Sequence, residues 1–218
     1  MRLRIHFAKT EAMRYTGHLD LHRAWERTLR RAGLPLAYSQ GFRPHPRINL
    51  GCALPLGFTS QDEVVDIWLE HVLTFDEIET DLQSAIPPGI QIQTLAIIDE
   101  KEPTLQTQLQ AAEYQLTLLE AIPELDYRLG EVCLAESLPR QRRGKAYDLR
   151  PLILDLRHIQ DNEAGQQRLR MVLSTREGAT GRPEEVILAL GGDPTLTRVE
   201  RTRLIFSSPA GEQSPSPN

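Results

Sequence analysis

At 218 residues, with 40% hydrophobic content and a mean hydropathy of −0.37, the chain has the composition of a soluble globular protein of one large or two small domains. No apolar run approaches the ~18 residues of a membrane span. The N-terminus lacks a signal-peptide pattern, and Cys52 and Cys133 are too few for a disulfide framework, so the expected setting is cytoplasmic, with no membrane partner.

Residues 2–8 alternate, with Leu3, Ile5 and Phe7 to one side, which predicts a half-buried strand. A helix is predicted from His18 to Ala32, its apolar stripe running through Leu21, Trp25, Thr28, Leu29 and Ala32, with Gly33 and Pro35 as its stop. Leu36 to Tyr38 leads into a loop, Ser39 to Arg47. A strand is expected from Ile48 to Leu54, a turn from Pro55 to Asp62 and a strand from Glu63 to Leu69. A second helix is expected from Phe75 to Ala85, and a strand from Ile90 to Ile98.

This order predicts an α+β fold that opens with a ferredoxin-like β-α-β-β-α-β unit over residues 1–99. Residues 100–110 read as a linker and 111–206 as a second β-rich α+β domain. Its strands are expected at 113–119, 152–156, 169–174 and 198–206, with a helix at 183–190. The second half is compatible with a degenerate copy of the first. Residues 207–218 are Pro- and Ser-rich and read as a disordered tail.

The net charge of −5 is unevenly spread. Residues 1–50 hold ten Lys/Arg against three Asp/Glu, about +7, which leaves about −12 on the rest. The basic excess lies on one helix face, where Arg23, Arg27 and Arg30 recur at helical spacing beside Arg31. Such a row repels itself unless an anion, or acids such as Asp66 or Glu70, lie against it. The loop adds Phe42, Arg43, His45 and Arg47 around Gly41, Pro44 and Pro46. An aromatic ring among cations is a pattern that stacks on a base and holds its phosphate. Ser39 opens the loop and joins this ligand-binding set.

His18 and His22 have an i, i+4 metal-ligand spacing to which His45 could add a third ligand, but no carboxylate sits in a third-ligand motif, so no metal or other cofactor is expected in this chain. His18, Asp20 and His45 are the candidates for acid–base catalysis. Phosphate-binding glycine loops, a nucleophile elbow and a CxxC pair are missing. Cys52 reads as a buried small hydrophobe, and Arg140 to Lys145 as an exposed basic loop or, alternatively, as an extension of the anion path from the first half.

The segments GHLDLHRAWERTLRRAGLPLAYSQGFRPHPRI and CALPLGFTSQDEVVDIWL, with the spacing between them, resemble the radical SAM-linked (radical SAM-associated) proteins of bacteria. The matching positions include His18, Asp20, Arg23, Arg30, Arg31, Ser39, Phe42, His45, Ser60 and Glu63. The resemblance implies a radical SAM enzyme as partner, because the chain has no CxxxCxxC triad for a [4Fe–4S] cluster of its own.

The leading expectation is therefore an accessory or substrate-recognition protein that is not catalytic by itself. It would bind an anion, RNA foremost, through the basic helix and the loop. Two alternatives stand beside it. One is a His/Asp acid–base or metal-assisted enzyme acting on a phosphorylated or carboxylated substrate. The other is a structural subunit docking on an acidic surface.

Overall fold

A computed structural model describes residues 1–142 and 144–207 of the chain. The tail expected to be disordered falls, from residue 208 onward, outside the described residues, as does Arg143. The fold is mixed α+β, built on a nine-stranded sheet. The first half runs β1 (Arg2–Lys9), α1 (His18–Arg31), β2 (Ile48–Leu50), β3 (Thr59–Trp68), α2 (Phe75–Gln83) and β4 (Ile90–Ile98). α3 (Leu105–Gln108) leads into β5 (Leu109–Leu118) and α4 (Leu125–Leu134). Then come β6 (Pro139–Arg142), β7 (Lys145–Asp148), β8 (Ile153–Ile159), β9 (Arg168–Arg176), β10 (Ala179–Thr180), α5 (Pro183–Ala189) and β11 (Thr197–Phe206).

The strand order within the first half is β4-β1-β3-β2, every neighbour antiparallel. In the second half β11-β5-β9-β8 repeats it, again antiparallel throughout. Both halves thus follow one path, strand-helix-strand-strand-helix-strand, with the fourth strand beside the first. They join where β11 lies parallel to β3, Glu200 opposite Thr59 and Arg201 opposite Ser60. β5 therefore runs in the same direction as β1, and β8 in the same direction as β2.

Side-chain alternation fixes the faces of the sheet. Leu3, Ile5 and Phe7 of β1 share one buried cluster with Trp25 and Leu29 of α1 and Ile78 and Leu82 of α2. Tyr114, Leu116 and Val199 share a second cluster with Leu125 and Leu129 of α4 and Val186 and Ile187 of α5. Leu54, Phe58 and Val64, from the first half, pack in the second cluster.

Several elements differ from the sequence reading. β2 ends at Leu50 instead of running to Leu54, and Cys52 is half-buried beyond it. β3 starts at Thr59, inside the expected turn, because Thr59 and Ser60 find strand partners in β11. Residues 105–108 of the expected linker are helical, and Leu105 is fully buried. α4 lacks obvious sequence signals. It carries Gly130 in its middle and begins after Glu124, whose φ of 54° lies in the left-handed region. Of the stretch read as a loop, Arg140, Gln141, Arg142 and Lys145 lie in two paired strands, β6 and β7.

Candidate functional site

The α1 stripe buries Leu21, Ala24, Trp25, Thr28 and Leu29, with the Trp25 ring edge-on to Phe7 at 4.9 Å. Burying that stripe turns the arginines outward. The helix stops as its sequence dictates. The Gly33 N–H donates to the Arg30 carbonyl (3.1 Å) and the Leu34 N–H to the Leu29 carbonyl (3.3 Å), with Gly33 at φ 71°.

The four arginines divide into two pairs. Arg23 meets Asp20 at 3.4 Å, while Arg30 meets Glu26 at 3.0 Å and lies 5.7 Å over the Tyr38 ring. These exposed ion pairs are weak and leave both guanidinium groups open to exchange for a stronger anion. Arg27 and Arg31 have no ion pair among the described residues. Together with Met13, Ala24, Thr28 and Pro87 they line an open cavity of about 440 Å³. Thr28 is fully buried and its hydroxyl has no hydrogen-bond partner among the described residues. Two forked cations, a free hydroxyl and apolar walls suit a phosphate attached to something less polar. Asp66 does not neutralise this face, because Arg2 and Arg4 of β1 engage it at 2.6 and 2.8 Å on the sheet.

The loop is a pinned arm. Tyr38 pairs with Pro46, the Arg47 N–H donates to the Ala37 carbonyl (2.9 Å), and the Ala37 N–H donates to the Trp68 carbonyl (2.8 Å). Ser39 closes the tip: its N–H donates to the His45 carbonyl at 2.8 Å, and its Oγ accepts from the His45 N–H at 3.0 Å. Pro46 is buried and anchors the base. Gly41, at φ 133°, makes the reversal that other residues adopt only with strain. Phe42 is thereby held fully in solvent at 108% exposure, with Arg43 and His45 exposed beside it. Arg47 is exposed as well, with its guanidinium 4.6 Å over the Trp68 ring.

The acid–base candidates are not drawn together. His18 is half-buried at the start of α1, and its Nδ1 has no partner among the described residues. Burial, then neighbouring His22, lower its pKa below the usual value. Asp20 is exposed and tied to Arg23, and His45 stands on the arm. No hydrogen bond among the described residues links the three. Among those residues there is also no cluster of three or more His, Cys, Asp or Glu placed to hold a metal ion.

The sequence reading missed a buried charged group where the halves meet. Glu63 is 2% exposed and accepts from Arg201, itself at 0%, at 2.6 to 2.8 Å. The fully buried Lys9 donates to the Phe58 and Arg14 carbonyls at 2.9 and 3.2 Å. Glu63, directly before the apolar Val64-Val65 of β3, was the available signal. Its partner, about 140 residues away, was not readable from spacing.

A crystal structure of a Cbf5-Nop10-Gar1 complex is similar at a TM-score of 0.49 and 12% identity, covering 93% of this chain and 48% of that one. The archaeal box H/ACA sRNP Nop10-Cbf5 complex is similar at 0.45 and 13%, covering 93% and 47%. The chain thus spans about half the length of these structures, and at this level of similarity they assign it no function. No curated protein matches it. No helix among the described residues is long and apolar enough to cross a membrane. A family model described as an uncharacterized protein conserved in bacteria (DUF2344) matches residues 2–183, and the chain belongs to that family.

Proposed function

We propose that the protein is a non-catalytic accessory or substrate-recognition protein that binds single-stranded RNA through α1 and the 36–47 arm. The observation that carries this reading is Phe42, a whole aromatic ring held in solvent on a pinned arm that also exposes Arg43 and His45. A base stacks on such a ring while the adjacent cations meet its phosphates. Arg27 and Arg31, without an ion pair among the described residues and lining one cavity with Thr28, supply further phosphate contacts. Arg23 and Arg30 join by exchanging their carboxylates for the ligand. An acidic protein surface would satisfy the arginines but gives no use for an exposed ring at the arm's tip.

A radical SAM enzyme as the working partner rests on the resemblance of residues 17–69 alone. In that arrangement this chain recognises the RNA and the enzyme supplies the radical chemistry. Photo-cross-linking of the intact protein to cellular RNA, followed by peptide mapping, tests the RNA contact. Adducts are expected on the peptide containing Phe42 and to disappear in Phe42→Ala. Adducts confined to the second half, or none, would reject this surface.

A further inference from the structure

The repeated path of the two halves has a consequence for binding. In the first half the basic arm lies between the first helix, α1, and the second strand, β2. In the second half the β6-β7 hairpin occupies the same place, between α4 and β8. Because β2 and β8 run in the same direction through one continuous sheet, both arms stand at the same end of that sheet. The strands beside which they enter, β3 and β9, are three positions apart, about 15 Å at the usual strand spacing.

The second arm is also basic. Arg142 and Lys145 are exposed, and Asp148, the arm's acid, is occupied in accepting the Leu138 and Arg150 N–H groups at 2.7 and 2.9 Å. Between this arm and the turn before α5 lies an open cavity of about 360 Å³, lined by Arg142, Tyr147, Thr180 and Arg182, with Asp148 also in its wall. Neither arginine makes an ion pair among the described residues. The Arg182 Nε is a buried donor with no acceptor among them, and a buried guanidinium N–H left without an acceptor is costly. Arg182 lines the cavity as a residue, so its guanidinium is within reach of an anion held there. Burial pushes the Tyr147 phenol up, so it stays a proton donor there.

Resting on the RNA reading above, we infer that this cavity is a second phosphate-binding site. One RNA strand would cross the end of the sheet and engage both arms, with Arg142 and Arg182 holding a phosphate and Tyr147 donating to it.

Fluorescence anisotropy on the full chain with oligo(U) of ~4 and ~16 nucleotides tests this, those lengths bracketing one contact and two. In the wild type the longer RNA is expected to bind at least about tenfold tighter, through the second contact. Arg142→Ala/Arg182→Ala should remove that gain and leave the short RNA unaffected. Arg142→Glu/Lys145→Glu, confined to the exposed arm, should do the same and covers the case in which losing Arg182 unfolds the chain. Long-RNA affinity unchanged in both variants overturns the inference. If Arg27→Ala/Arg31→Ala then still weakens binding, the RNA reading stands without it. If no variant alters binding, the RNA reading itself has failed.

Discussion

Glu63 of β3 accepts hydrogen bonds at 2.6 to 2.8 Å from Arg201 of β11, and this sealed ion pair bridges the parallel β3–β11 pairing through which the two halves share the sheet. Arg201 also reaches the carbonyls of Cys52 and Ala53 at 3.4 Å, tying the 51–58 segment to the junction. Removing one partner leaves a buried charge without its counter-ion. Arg201→Met is therefore expected to cost about 3–5 kcal/mol in denaturant unfolding. Arg201→Met/Glu63→Leu should cost clearly less than the sum of the single changes. Additive losses would show that the pair is not coupled.

Lys9 sits fully buried beside this pair, and burial lowers its pKa from 10.5 to about 8. Between those values the unfolded chain holds the proton that the folded chain has released, so this group adds stability as pH rises from about 8 to 10.5. Wild type minus Lys9→Met should thus shift in favour of wild type by ~1–3 kcal/mol across that range. A difference that stays flat between pH 8 and 10 would contradict the burial of a charged ammonium here.

Arg47 was expected among the ligand-binding residues, yet its guanidinium lies over Trp68, which Arg2 also approaches at 5.2 Å. Arg47→Ala should lower stability by about 0.5–1 kcal/mol, through lost cation–π contact. Arg47→Lys should recover only part of it, since an ammonium does not stack as a planar group does. Trp68 emission, followed through urea unfolding, reads both effects.

Phe42 contributes nothing to the core. Phe42→Ala should leave stability within about 0.5 kcal/mol of wild type, while weakening RNA binding by the ~1–3 kcal/mol of one stacked base. Thermal melts beside binding isotherms separate the two. A loss of stability matching the loss of affinity would make the ring structural.

Local signals carried the first half of the fold. The Leu21-Trp25-Leu29 stripe and the Gly33-Pro35 stop specify α1, and Leu3-Ile5-Phe7 specifies β1, because both depend on periodicity alone. The second half was less readable where tertiary packing overrode propensity. α4 holds Gly130 and is fixed by burying Leu125, Leu129 and Val132, and β6-β7 is a charged hairpin without an apolar face. That both halves share one topology appears only in strand pairing, since their sequences show no repeat. At the site, the loop's stiffness was legible in Gly41, Pro44 and Pro46. The division of the arginines into Arg23 and Arg30, which are paired, and Arg27 and Arg31, which have no ion pair among the described residues, was not, because it depends on rotation about the helix and on Tyr38, Met13 and Pro87.

The most direct test of the central claim is the salt dependence of RNA binding by wild type and by Arg27→Ala/Arg31→Ala. If α1 holds phosphates, log affinity of the wild type falls linearly with log salt, and the double variant binds more weakly with a slope shallower by about one to one and a half. Equal affinity and an equal slope in the two proteins would contradict it.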